Sequence, residues 1–524
     1  MVAEKAVGKA RLVLLVLCAL LLVSGAALIL PIFLFDRLSY ENAWVSAHFA
    51  VMAEAFQHYG RWAMHLTPIQ NYGPLTAEPD WYVHWPPFFQ LVLSWVAAPF
   101  GEVSTTLLHS VSVALVFAQA LVLGIWIRRK AGAVAASVAV IVFFNMPPIV
   151  RTAHLGLHLH LALLLTLGAI LLFHECAMKG RWRTRQGVVG LFIFMAACFT
   201  TWESFLLLPG FWLYWLILRR RDIFAAAMVW GGTAMGTLAL MLALYAQGVP
   251  GLMDGLLRRA LFRAGLEGYT SNGSVALHEL ANFSGDVSGG LVHRLELIAA
   301  NLSAAGAVGL PSLLGIALLA SAPHIRAKPQ SRHWLALLPL MSVASLWVLL
   351  MSQHFIIHLY QTLIFALPGA MAAGFLTQHF MKADRLARFP TAVRGVALLM
   401  AFLLLLVPSL DAESRKFRHF GEHDMLVQVG KSLRTTVSEN SILMVPWSTM
   451  VPTYYSKRHL MRNIHLKDYQ THRRQFHELC RDCPLYLVVL DNAVLPAALA
   501  GRASPLPGGL RLVRVGPAVH LKEE

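Results

Sequence analysis

Three carboxylates beside apolar runs are the first residues in this chain able to do chemistry. Asp36 and Glu41 directly follow the first apolar run, and Glu203 sits in Thr201-Trp202-Glu203, where two further runs are joined by almost nothing. A charge at the edge of a hydrocarbon layer is costly unless paired or used. A carboxylate there can be tuned by partial burial to act as a general base toward an acceptor hydroxyl. The competing reading is an ordinary interfacial junction for Asp36 and Glu41, with acids favoured near the start of the helix that follows. Glu203 is a functional candidate with Arg151 or a histidine as partner, and its competing reading is a structural ion pair.

The complementary groups are cations and imidazoles. His84 lies in Tyr82-Val83-His84-Trp85-Pro86-Pro87-Phe88-Phe89. Membrane-edge anchoring accounts for the aromatics but not for His84, which at a helix start can bind a phosphate oxygen. Arg151, His154, His158 and His160 cluster at the entry of a later run, with His154 and His158 four apart and therefore expected on one helical face. His354 and His358 repeat that spacing beside Tyr360. A pair at this spacing is half a metal site, but no HExxH is present, so satisfied interfacial histidines compete with each functional reading. Arg258, Arg259 and Arg263 add cations in the 247–295 stretch.

What must position these groups is a polytopic membrane domain. Hydrophobic residues make up 57% of the chain and charged ones 13%, about half the charge of a soluble protein. Apolar runs recur at roughly 12–35, 105–127, 131–148, 156–174, 188–201, 204–219, 223–246, 296–321, 334–351, 359–379 and 394–410, giving about eleven spans by the length needed to cross a bilayer. The net charge of +16 sits in short clusters between runs. That pattern excludes nucleic acid as partner and follows the positive-inside rule. Lys5 to Arg11, Arg128-Arg129-Lys130, Lys179 to Arg185, Arg219-Arg220-Arg221, Arg326 to Arg332 and Lys382 to Arg394 are then all cytoplasmic. The first outer loop, 36–104, and a second, 247–295, face the other side. Pro86 to Phe100 is too short to span, opens on two prolines and reads as an interfacial helix. The first run reads as an uncleaved helix rather than a signal peptide.

Residues 1–410 thus form the membrane domain, and 411–524 an outer soluble α/β domain that covers or shapes the site. Its strand-like runs are Ile442–Pro446 and Leu485–Val489, the second followed by Asp491. Cys480 and Cys483 form a CxxC there, read as a local disulfide because a zinc site would need a second ligand pair.

The order of these features resembles the GT-C superfamily of membrane glycosyltransferases, in particular its protein mannosyltransferase and aminoarabinose transferase branch. The resemblance rests on Glu41, Tyr59-Gly60, Pro68, Tyr82 and His84-Trp85-Pro86-Pro87 in succession, the helix ending in Pro99-Phe100-Gly101, Asn145-Met146-Pro147, the Thr-Trp-Glu turn, and His358-x-Tyr360 before the run containing Pro368. Departures are Tyr40-Glu41-Asn42 where members show Asp-Glu, His158 or His160 in place of a second acid, and Trp202-Glu203 where many carry a lysine before glycine.

The resemblance implies an inverting transfer of a sugar from a polyprenyl-phosphate donor to a lipid, glycan or protein acceptor, outside the cytoplasmic (inner) membrane and in contact with membrane lipids. It makes Glu41 the base with Asp36 behind it, and Glu203 an orienting acid. His84, Arg151 and one of Arg258, Arg259 or Arg263 hold the phosphate. Tyr82, His154, His158, His160, Trp202, His354, His358 and Tyr360 line the outer site. The resemblance fixes no cofactor and leaves a divalent metal open. The rival readings are a transporter, which would call for internal repeats and broken helices at mid-membrane, and a non-catalytic scaffold derived from a GT-C enzyme.

Overall fold

The computed structural model describes residues 2–72 apart from 36, 39 and 41, then 81–249, 252–264, 291–304 and 329–382, and most of 410–516. Five helices among these are long and apolar enough to cross a membrane: Thr105–Ala131, His158–Lys179, Arg221–Ala246, Arg332–Leu350 and Leu359–Met381. Shorter apolar helices are Cys18–Leu34, Phe88–Phe100, Ala133–Asn145, Arg185–Thr200 and Trp202–Leu218. The expected span at 394–410 and the second half of that at 296–321 lie outside the described residues.

In chain order the helices before the soluble part are α1 (Val2–Leu34), α2 (Ala43–Tyr59), α3 (Phe88–Ala97), α4 (Thr105–Ala131), α5 (Ala133–Asn145), α6 (Pro147–Thr152), α7 (His158–Lys179), α8 (Arg185–Thr200), α9 (Leu207–Leu218), α10 (Arg221–Ala246), α11 (Leu252–Ala264), α12 (Leu291–Ala304), α13 (Leu337–Leu350), α14 (Ser352–Ile357) and α15 (Ala366–Lys382). Local chemistry explains several boundaries. Ser104 caps α4, its hydroxyl accepting from Leu107 N at 3.2 Å, which satisfies one of the free donors of a helix start. The basic triplet closes α4, and Gly132, at φ 94, reverses the chain directly into α5, a conformation that other residues adopt only with strain. Gly210 on α9 permits a close helix crossing: a Cβ there would stand 2.3 Å from Pro339 Cα of α13.

The entry to α7 is broken rather than continuous. Pro147 and Pro148 open α6, where the missing N–H is no loss, and residues 153–157 leave the helix before His158 starts α7. Irregular backbone in apolar surroundings persists only where neighbours satisfy it. Here Ser112 Oγ donates to Leu155 O at 2.6 Å, Gly156 N donates to Ser46 Oγ at 2.9 Å, and His160 Nε2 donates to Thr152 O at 2.7 Å.

The C-terminal part is a sheet packed with helices. Its elements are α16 (Asp424–Thr436), β1 (Ile442–Met444), α17 (Val451–Ser456), β2 (His459–Met461), β3 (Leu485–Leu490), β4 (Ala503–Leu506) and β5 (Leu510–Gly516). The strand order is β2-β1-β3-β5-β4, with β1 parallel to both β2 and β3, and β5 antiparallel to β3. Because side chains alternate across a strand, β1 feeds two cores. Ile442 and Met444 pack with Leu485, Leu487 and Cys483 on one face, and Leu443 packs with Val429 and Leu433 of α16 on the other. Cys483 is disulfide-bonded; Cys480 lies outside the described residues.

This part is fastened to the loop between α1 and α4. Glu54 of α2, only 7% exposed, accepts from Val103 N at 2.9 Å, from the Tyr72 hydroxyl, and from Lys457 Nζ at 2.5 Å. Burial, then the Glu54 charge, push the Tyr72 hydroxyl well above its ordinary value of 10.0, so it remains a donor. Around this clasp, Tyr454 donates to Val103 O at 2.7 Å, Leu38 N to Tyr455 OH at 2.7 Å, and Arg37 pairs with Asp424 at 3.2 Å.

A buried carboxylate that loses its cation is left undercompensated, at about 3–5 kcal/mol. Lys457→Met is therefore expected to lower the thermal midpoint of the detergent-solubilised protein, and Glu54→Gln combined with Lys457→Met to recover part of it. Equal midpoints for the wild type and Lys457→Met would show that the clasp carries no stability.

Candidate active site

The segment Tyr82–Pro87 forms the floor of the site, and its backbone is held by side chains from distant helices. Trp202 Nε1 donates to His84 O at 2.7 Å, Arg263 Nη1 donates to the same carbonyl at 3.3 Å, and Tyr245 OH donates to Trp85 O at 3.2 Å. The Arg263 guanidinium also lies over the Trp85 ring, 4.7 Å from its centroid. Arg263 is thereby fixed in place by a carbonyl and an aromatic face.

Histidines gather around this arginine. The buried His158 ring lies 4.5 Å from Trp85 and 5.1 Å from Phe49, and neither of its nitrogens has a hydrogen-bond partner among the described residues. His354 and His358 lie 4.5 Å apart; His354 Nε2 accepts from Gln361, whose Oε1 accepts from Trp347. His358 stacks on Tyr360 at 5.1 Å and meets Trp44 at 5.9 Å. The Arg263 charge acts on His158, His354, His358 and Glu203. Glu203 is buried, takes a hydrogen bond from the Thr201 hydroxyl on one oxygen, and has no hydrogen-bond partner on the other among the described residues. Burial, then the Arg263 charge, bring the His358 imidazole down from 6.5 to about 3. A neutral ring of this kind donates one hydrogen bond and leaves Arg263 the fixed positive charge beside it. The arrangement suits an anion at Arg263 flanked by aromatic faces and neutral imidazoles.

The sequence expectations meet this geometry unevenly. Tyr82, His84, His158, Trp202, Glu203, Arg263, His354, His358 and Tyr360 come together. His154 and His158 do not share a helical face: the turn at 153–157 separates them, and His154 instead packs with Phe35 at 5.3 Å and Tyr40 at 4.8 Å. His160 is bound to the Thr152 carbonyl and is part of the scaffold of that turn. The expected partner of Glu203, Arg151 or a histidine, is replaced by Thr201 and the charge of Arg263. Arg151 lies on α6, which packs on α5 and on the turn Leu359–Phe365. Asp36, Glu41 and the side chains of Arg258 and Arg259 lie outside the described residues. Among the described residues no three His, Cys, Asp or Glu side chains are grouped to hold a metal ion.

Sequence reasoning missed His48. It lies on α2, its ring 4.5 Å from Tyr82, which in turn stacks on His84 at 5.0 Å. The available signal was the four-residue spacing of Trp44 and His48, which puts both on one face of α2 toward the site. Burial, then the Arg462 charge, take the His48 imidazole down from 6.5 to about 3.

No family model matches the chain, and no curated protein sequence matches it. Solved structures do. ArnT from Cupriavidus metallidurans bound to undecaprenyl phosphate aligns over 99% of this chain and 100% of its own, at 15% identity and TM-score 0.52. The same protein in its apo state aligns over 97% and 98%, at 14% identity and TM-score 0.50. The Archaeoglobus fulgidus oligosaccharyltransferase tethered to an acceptor peptide aligns over 91% of this chain and 69% of its own, at 11% identity and TM-score 0.55.

Excluding a proton from His48 has a signed consequence. Between about pH 6.5 and pH 3 the unfolded chain binds a proton there that the folded chain does not. Stability is therefore fully present above about 6.5 and falls as the pH drops, by up to about 1.4 kcal/mol per pH unit for this one group. Melting curves from pH 7.5 to 4.5 are expected to show a shallower decline for His48→Phe than for the wild type; parallel declines would remove His48 from the buried site.

Proposed function

Since the chain has the fold of the GT-C membrane glycosyltransferases, we propose that it transfers a sugar from a polyprenyl-phosphate donor to a hydroxyl-bearing acceptor at the outer face of the cytoplasmic membrane. The observation that carries this reading is Arg263 held over Trp85 among neutral histidines and aromatic rings, at the end of a bundle of apolar helices. A lipid-borne sugar needs helices for its isoprenoid tail, a cation for its phosphate, and aromatic faces for its ring. All three chemistries meet here. Undecaprenyl phosphate, bound to ArnT, is the carrier part of a donor of this kind.

In this mechanism Glu41 removes the proton of the acceptor hydroxyl. The acceptor oxygen attacks the anomeric carbon from the face opposite the phosphate, so the configuration inverts. The bond from that carbon to the phosphate oxygen breaks, and polyprenyl phosphate leaves with the electron pair. Arg263 stabilises the charge on the leaving group, with His84 and Arg151 as further phosphate contacts. Glu203, partnered by Thr201 and within the field of Arg263, orients that arginine. Asp36 is the alternative base to Glu41. In this orientation the basic clusters face the cytoplasm and the 411–524 domain faces outward, above the site.

Two sets of variants test this. Arg263→Ala is expected to weaken binding of a short polyprenyl phosphate by roughly ten- to hundredfold, the worth of a charge-assisted hydrogen bond, in a protein that still melts cooperatively, with Trp202 left to satisfy the His84 carbonyl. In transfer assays Glu41→Gln is expected to lose about 10²–10⁴ in turnover as a general base should, and Glu203→Gln less. A near-normal Glu41→Gln with an inactive Glu203→Gln would reverse the two roles, and normal activity in both would end the carboxylate mechanism.

A further inference from the structure

We infer that Trp44, His48 and His358 form a subsite for an uncharged sugar ring, with the indole against its C–H face and the two imidazoles against its hydroxyls. This rests on the reading of the site proposed above and names the part of the substrate that Arg263 does not hold.

The first observation is a pattern of burial. Over residues 43–56 of α2 every side chain is buried except Trp44 and His48, which are half-buried. Four residues apart, they stand one above the other on a single face. α2 is thus enclosed on all sides but one, and that side carries an indole and an imidazole. A second segment repeats the pattern. Between the buried runs 353–356 and 360–372, the described half-buried side chains are His358 and Leu359. The Trp44 and His358 rings lie 5.9 Å apart, tilted by 43°, so the two half-buried faces adjoin.

The second observation concerns hydrogen bonds. Among the described residues, Trp44 Nε1 and the ring nitrogens of His48 and His358 have no partner, and unlike those of His158 they are not sealed from solvent. Packing fixes these rings instead. His48 meets the edge of Tyr82 at 4.5 Å, and His358 stacks on Tyr360 at 5.1 Å and abuts His354 at 4.5 Å. Side chains held by packing, with their polar atoms unused, are preorganised for a ligand.

A sugar ring matches what is offered. Its C–H face suits an indole, which is apolar on its face and polar at its edge. Each hydroxyl both donates and accepts, and an uncharged imidazole has one nitrogen for each role. The subsite also adjoins the cation. Arg263 lies over Trp85, Trp85 is 5.6 Å from His354, and His354 touches His358. The ring belongs either to the lipid donor or to a glycan acceptor; in both cases the group recognised is an uncharged pyranose.

The test uses the full chain in detergent with farnesyl phosphate, its glucosyl, mannosyl and galactosyl esters, and the three methyl glycosides. The wild type is expected to bind at least one ester roughly tenfold tighter than farnesyl phosphate. Trp44→Ala is expected to erase that gain and leave farnesyl phosphate affinity unchanged, Trp44→Phe to keep part of it, and His48→Phe and His358→Phe each to lower it. That result assigns the ring to the donor. A methyl glycoside that binds the wild type beside farnesyl phosphate but not Trp44→Ala, with no gain from any ester, assigns it to the acceptor. A gain that survives in folded Trp44→Ala, His48→Phe and His358→Phe overturns the inference. So do variants that weaken farnesyl phosphate as much as its esters, and a wild type that binds no sugar probe of either kind more tightly than the matching sugar-free control. Should the wild type bind methyl glycosides but not farnesyl phosphate, the lipid-donor reading fails by itself, and Trp44→Ala with those glycosides decides the subsite.

Discussion

The buried carboxylate of Glu54 is the interaction on which the rest of the arrangement depends. An ionised group removed from water must recover its solvation from fixed donors, and Glu54 recovers it from three separate stretches of chain: the backbone at Val103, the hydroxyl of Tyr72 and the ammonium of Lys457. That requirement ties the end of the first loop, its middle and the soluble part to α2. Once α2 is located, Trp44 and His48 are brought to the site from one of its faces, and Phe49 is set against His158. The side chains that α2 contributes to the candidate site are therefore placed by a charge that lies outside it.

The site itself is held by a different device. Its floor is a proline-interrupted segment that cannot satisfy its own carbonyls, and Trp202, Arg263 and Tyr245 complete them from three helices. In doing so they order the Arg263 guanidinium, whose charge acts on His158, His354, His358 and Glu203. The same contacts that close the fold also aim the cation, so packing and electrostatics are not independent here. Neutral imidazoles around it avoid cation–cation repulsion while keeping hydrogen-bond donors at hand.

Local signals in the sequence carried over into the structure where the backbone stays helical. His354 and His358 keep their contact because α14 spans their interval and His358 N bonds to His354 O at 3.0 Å. His154 and His158 have the same spacing but not the same outcome. Pro147-Pro148 start a short helix that ends at Thr152, and a turn stabilised by Ser46, Ser112 and His160 intervenes. Nothing local to 153–157 announces that turn, since the groups that satisfy it come largely from other helices. The membrane-helix pattern and the Tyr-x-His-Trp-Pro-Pro segment were legible because both are short-range. Glu54 with Lys457, and Arg462 with Gln70, were not: each pair joins residues about three quarters of the chain length apart, and one sequence alone holds no record of such distances.

That separation has a consequence for how the molecule is made. Lys457 follows Glu54 by 403 positions. At ribosomal rates of about 5–20 residues per second, the carboxylate precedes its counter-ion by roughly 20–80 s. Throughout that interval α2 carries an apolar surface and an unneutralised acid at once, and it cannot settle into its final burial. The helices inserted early must wait in a provisional arrangement with the first loop still hydrated. Completion of the clasp is then a late event in biogenesis, timed by the arrival of Lys457 rather than by insertion of the spans. A chain interrupted before Lys457 would leave the apolar helices without the ammonium that neutralises Glu54.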